Sequence, residues 1–148
     1  MTMCDYFSAT DDRAAVAVVD RPGGPAEAGH DVVFLKNIDP VVAIAQLEAV
    51  LTGCGYEEVV RRPRSGQLLS SAEDDAPLVF SLSDSLVEAL AAAAPADLAR
   101  AAGPWSETPE LQQCQVDART ALGVLEALAG LTRRAGAAGL RLYCRWTL

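Results

Sequence analysis

The segment GLRLYCRWTL (139–148) alternates along its length. Leu140, Leu142, Cys144, Trp146 and Leu148 fall on one side, and Arg141, Tyr143, Arg145 and Thr147 on the other. A period of two marks a strand with one face on a core. Gly139 ahead of it suits the release of a helix into a strand. Just upstream, Val124, Leu128, Leu131 and Ala135 recur at helical spacing within 116–138. The chain therefore ends helix, glycine, strand, and the apolar face of that strand packs on helices. Two arginines buried on the opposite face would be very costly unless paired. Arg141, Tyr143 and Arg145 are accordingly expected to face water or line a groove. That face is the leading candidate for an anion or acidic-peptide contact, and a plain solvated strand face is the commoner reading.

The same rules extend toward the N-terminus. MCDYFSA (3–9) predicts an opening strand, and Thr10 a helix cap followed by Asp11 and Asp12, where negative charge suits a helix start. RPGGPAEAGH (21–30) predicts a loop and DVVFLKN (31–37) a buried strand. Asp39 as N-cap, Pro40 at the first helical position and Gly53 past the end bound a helix. Val41, Ile44, Leu47, Val50 and Leu51 form its apolar stripe. YEEVVRR adds a turn or two before Pro63, and residues 63–76, with the acidic run Glu73-Asp74-Asp75, predict a surface loop. PLVFSL (77–82) predicts a third strand, and Ser83 or Ser85 caps a helix through Ala94. Pro95 restarts a short helix that Gly103-Pro104 is expected to stop, leaving 105–115 irregular. The order implies one α+β domain over 1–148, with a mixed or antiparallel sheet of about four strands and helices packed mainly on one face.

Composition bounds the function. The chain has 148 residues, 51% hydrophobic but only 5% aromatic, so a core of Leu and Val with few large rings is expected. Twelve Lys and Arg face twenty Asp and Glu, for a net charge of −8. That balance opposes phosphate backbones, so nucleic acid is not an expected partner. It favours encounter with a basic protein. Cys4, Cys54, Cys114 and Cys144 are scattered, without zinc or redox spacing. The opening MTMCDYFSAT lacks a basic, then apolar, leader. No apolar run is long enough for a membrane span. A cytoplasmic protein with reduced thiols is expected.

Several segments resemble the YfbM-like domain family of bacterial proteins. They are NIDPVVAIAQLEAVLTG (37–53), LVFSLSDSLVEALAAAAPADLAR (78–100) and LAGLTRRAGAAGLRLYCRWTL (128–148), with CDYFSA at the opening. The resemblance implies an α+β fold and no particular activity. That family's helix before Leu-Thr-Gly typically carries two histidines three apart. Here the matching positions hold Ala45 and Glu48, so any role of those histidines does not carry over.

Candidate chemistry is sparse. His30, the single histidine, sits beside Asp31 and could serve a Cys4 or Cys144 nucleophile. An exposed loop histidine is the plainer reading. Asp11-Asp12 and the 73–75 acids lack cation-loop spacing. RPGGP (21–25) and GCGY (53–56) match no phosphate or dinucleotide fingerprint, so no cofactor and no metal is expected. Arg61, Arg62 and Arg64 could clasp an anion, but pairing with acids is the commoner fate. Trp105 is either a lid on the core or an anchor for a partner, with burial favoured. The expected function is a protein-interaction module, one version being an immunity-like inhibitor of a basic toxin or nuclease. The alternative is a small hydrolase or thiol-dependent enzyme using His30 with Cys144 or Cys4.

Overall fold

A computed structural model describes residues 2–71 and 76–147. The acidic run 73–75 and Leu148 lie outside the described residues. Four strands, β1 (Met3–Ala9), β2 (Val32–Lys36), β3 (Leu78–Ser81) and β4 (Arg141–Thr147), form one antiparallel sheet in the order β2-β1-β4-β3. The first and last strands of the chain are thus the central pair, with Tyr6 opposite Cys144 and Asp5 opposite Arg145. The fold is α+β.

The long helices are α3 (Ala43–Thr52), α5 (Asp84–Ala92), α6 (Pro95–Ser106) and α8 (Ala118–Ala137). They share one core with Cys4, Tyr6, Leu142 and Cys144 of the central strands. The alternation is therefore realised over 140–146, with Trp146 half-buried against that core. Capping follows the sequence at several ends, but Asp11, not the expected Thr10, caps the first helix, accepting from Ala14 N at 2.8 Å. Asp117 accepts from Thr120 N at 2.8 Å to start α8. Ser83 accepts from Leu86 N at 3.1 Å to start α5. Gly53 closes α3 with φ 67°, a left-handed conformation that glycine adopts without penalty. Asp39 receives Val41 N at 2.9 Å and Ala43 N at 3.2 Å, so it caps the turn that leads into α3.

The stretch after the expected first helix departs from expectation. The 21–30 stretch contains α2 (Gly24–Glu27), which follows α1 (Asp12–Val16) and a 3-10 turn at Ala17–Asp20. These pieces lie over the second face of the sheet, on a cluster of Phe7, Ala9, Ala15, Val18, Val79 and Tyr143. The arginine-bearing face of β4 is therefore covered where a wet face was expected, while the long helices remain on the other side. Gly24 approaches β4 so closely that a Cβ there would lie 3.0 Å from Nη1 of Arg145.

Helix α6 also runs through Gly103-Pro104 to Ser106, and α7 (Pro109–Gln113) replaces the irregular segment. Proline at 104 removes one backbone donor. The helix persists because Trp105 is fully buried and its Nε1 donates to Ala43 O at 3.0 Å. The segment between α4 (Tyr56–Val60) and β3 runs back along the outer edge of β3, where Leu69 N donates to Val79 O at 2.8 Å.

Candidate functional site

The expected groove on β4 is a packed polar layer. Tyr143 is fully buried and donates to Asp12 Oδ1 at 2.7 Å. Arg64 holds the same carboxylate with both terminal nitrogens, at 2.9 and 3.1 Å, and its guanidinium lies 5.8 Å from the Tyr143 ring centre. Arg64 has a left-handed backbone, φ 67°, and its carbonyl accepts from Ser81 Oγ at 2.7 Å. The hydrogen bonds from Arg64, then from Tyr143, hold the Asp12 carboxyl below its ordinary range. Burial, then the bond to Asp12, pushes the Tyr143 phenol up to about 12. Asp12 thus ties α1 to β4 rather than only decorating a helix start.

Beside this layer, Arg145 reaches Asp5 at 3.4 Å. Burial pushes the Asp5 carboxyl up, against the pull of Arg145. The two arginines of β4 diverge, because Arg141 is exposed and Arg145 is largely covered. Of the predicted contact set Arg141, Tyr143, Arg145 and Trp105, only Arg141 stands in the open. Trp105 lies on the far side of the sheet, inside the main core.

The His30 arrangement is not assembled either. Its Nδ1 donates to Ser8 O at 2.9 Å, and its ring packs edge-on against Phe7, 5.5 Å between centres. Phe7 belongs to the second face, whereas Cys4 and Cys144 point into the main core. The sheet itself separates histidine from thiols. Cys4 and Cys144 are fully buried and interact with each other. A hydrogen bond from Cys144 lowers the Cys4 thiol, and burial raises Cys144 well above its ordinary value. Among the described residues no group of three or more His, Cys, Asp or Glu is placed to hold a metal ion.

The arginine trio likewise disperses. Arg61 is exposed, Arg64 serves Asp12, and Arg62 enters a cluster that the sequence reading missed. At its centre is Glu48, 1% exposed in the middle of α3. Its Oε2 accepts from Arg62 Nη1 at 2.6 Å and from Ser85 Oγ at 2.7 Å, and its Oε1 accepts from Ser83 Oγ. Arg62 Nη2 also lies 3.0 Å from the Cys54 sulfur and 3.9 Å from Glu58. A buried carboxylate with a cation and two hydroxyls is satisfied where a lone one would be intolerable. The signal was present in the sequence. Glu48 stands four residues after Ile44 and three before Leu51, a charge on the apolar stripe of its own helix.

This knot joins α3, the end of α4 and the start of α5. The elements it joins carry exposed carboxylates, Glu57 and Glu58 on α4 and Asp84 and Glu88 on α5, with Arg61 exposed after α4. Next to it, α3, α5 and α6 enclose a shallow groove of about 390 Å³, lined by Val50, Leu51, Ala89 and Ala93, with Asp97 and Arg100 paired at its rim. Neither a family model, nor a curated protein, nor a solved structure matches this chain. No helix among the described residues is long and apolar enough to cross a membrane.

Proposed function

We infer that the chain is a small protein-interaction module that recognises a basic partner, as an immunity-like inhibitor would. The observation that carries this reading is the set of exposed carboxylates on α4 and α5, in a chain of net charge −8. Glu57, Glu58, Asp84 and Glu88 are exposed on elements fixed to one another by the buried Glu48 knot. Rigid placement matters, because charges on a pre-organised surface do not lose further side-chain and loop freedom when a partner docks. Carboxylates placed in this way raise the encounter rate with a basic surface and fix its orientation. The test is affinity capture from native lysate with the wild type and with a variant carrying Glu57→Lys, Glu58→Lys, Asp84→Lys and Glu88→Lys. A basic protein held by the wild type at low salt and absent from the variant supports the reading. The same proteins on both baits would remove it.

One observation favours a second reading, a thiol-dependent enzyme. Cys54 is partly exposed and receives a hydrogen bond from Arg62, and a cationic donor on an accessible thiol is a setting in which thiol chemistry is found. That role belongs to Cys54, not to Cys4 or Cys144 with His30. Retention of every screened activity by Cys54→Ser would exclude it.

A further inference from the structure

The two edges of the sheet are finished differently. On the β3 side, the segment 67–70 covers the outer edge. Leu69 N donates to Val79 O at 2.8 Å, Ser81 N to Gln67 O at 2.9 Å, and Val79 N to Ser70 Oγ at 2.9 Å. On the β2 side, the bonds Asn37 N to Thr2 O at 3.0 Å and Ser8 N to Asp31 O at 3.3 Å set the register with β1. By alternation Val33 and Leu35 also bond inward, and Val32, Phe34 and Lys36 present their N–H and C=O groups outward. Among the described residues no backbone or side-chain hydrogen bond reaches those outward groups. Phe34, in the middle of this edge, is 60% exposed, the most exposed large hydrophobic side chain among the described residues. An uncovered edge with an apolar centre is a template for another strand.

We propose that β2 pairs with β2 of a second copy of this chain, antiparallel about a twofold axis through Phe34. The register is self-complementary. Phe34 faces its own copy, and Val32 faces Lys36 from each side. Each outward donor and acceptor then finds a partner, giving about six backbone bonds, and the four-stranded sheet continues through both copies. Charge agrees with this occupant. In a chain of net charge −8, the strand Val32–Lys36 carries no acid and one lysine, so its side chains bring no carboxylates face to face when two copies pair. The two Lys36 residues fall at opposite ends of the paired strands. An edge this short buries less than the roughly 1,200 Å² of a standard stable interface. The dimer is therefore a weak one, formed only as concentration rises. This surface is separate from the carboxylates of α4 and α5, and its failure would leave the binding reading standing.

Sedimentation velocity of the full chain from about 1 to about 500 µM tests the proposal. The expected result is a doubling of mass with concentration, abolished by Phe34→Lys, which sets like charges opposite one another on the axis. Circular dichroism checks that this variant keeps its fold. Independently of its folding, Phe34→Cys yields a cross-linked dimer under mild oxidation above the wild-type background, and Lys36→Cys does not, because position 36 faces position 32. A wild type that stays monomeric over the whole range overturns the proposal, including when an added extended peptide binds the edge instead. So does a dimer that persists in folded Phe34→Lys, or Phe34→Cys that cross-links no more than Lys36→Cys.

Discussion

Arg62 Nη1 lies 2.6 Å from Oε2 of Glu48, and the two partners differ in access to water. The Arg62 side chain is 22% exposed and that of Glu48 only 2%. The cation therefore has an alternative in solvent, and the carboxylate has none. Arg62→Met is expected to lower the urea midpoint, because it leaves a charge in the interior without its counterion. The exposed neighbour substitution Arg61→Met should leave the midpoint almost unchanged. Adding Glu48→Gln to Arg62→Met should recover part of the loss, as a double-mutant cycle reads directly. Equal midpoints for Arg61→Met and Arg62→Met would contradict this account of the knot.

Trp105 supports a helix that proline would otherwise end. Trp105→Ala should cost about 3–5 kcal/mol, the usual loss for a large buried aromatic. Trp105→Phe keeps most of the volume but loses the Nε1–H donor to Ala43 O, an effect of about 1 kcal/mol. Chemical denaturation of the two variants distinguishes a core residue from a surface anchor, whose truncation would leave stability within about 0.5 kcal/mol of wild type.

The pH profile follows from Asp12 and Tyr143. Asp12 has a folded-state pKa below its ordinary 3.8. Its stabilisation is therefore present above that value and lost as pH falls through the lower, folded one. Acid should weaken the wild type more steeply than Asp12→Asn in this window. Tyr143 has the opposite sense at high pH, being raised from 10.0 to about 12. The unfolded phenol releases its proton first, so stability falls as pH climbs between those two values, and Tyr143→Phe should flatten that fall. Urea midpoints measured across both ranges check the signs. Parallel acid curves for wild type and Asp12→Asn would refute the Asp12–Arg64–Tyr143 account.

Thiol reactivity should divide the cysteines by layer. Cys4 and Cys144 are buried between the central strands and the helices, and Cys54 and Cys114 are partly open. In the native protein an aromatic disulfide reagent should label Cys54 and Cys114 rapidly. Cys4 and Cys144 should react only as the fold opens. Peptide mapping after a short labelling pulse identifies which thiols reacted.

How much of this was legible in the sequence depends on how local its cause is. Alternation over 140–146, the glycine after α3 and the cap at Ser83, one of the two serines offered, are set by neighbours in the chain, and they read correctly. Helix α6 did not, because its passage through Pro104 is decided by the packing of Trp105 against Ala43, a contact between residues 62 apart. The covered face of β4 was missed for the same reason. Asp12 lies 131 residues from Tyr143, and its carboxylate looks like ordinary helix capping until the strand is placed beside it. Glu48 stood out of pattern on an apolar stripe, but its partners Arg62, Ser83 and Ser85 come from two other elements.

The carboxylates of α4 and α5, held in place by the Glu48 knot, are proposed to capture a basic protein. The most direct measurement is the association rate of the captured partner as a function of salt. Between about 50 and about 500 mM salt the rate should fall at least about tenfold, and the four-lysine variant should lose that dependence. A rate indifferent to salt, or unchanged by reversing Glu57, Glu58, Asp84 and Glu88, would contradict it.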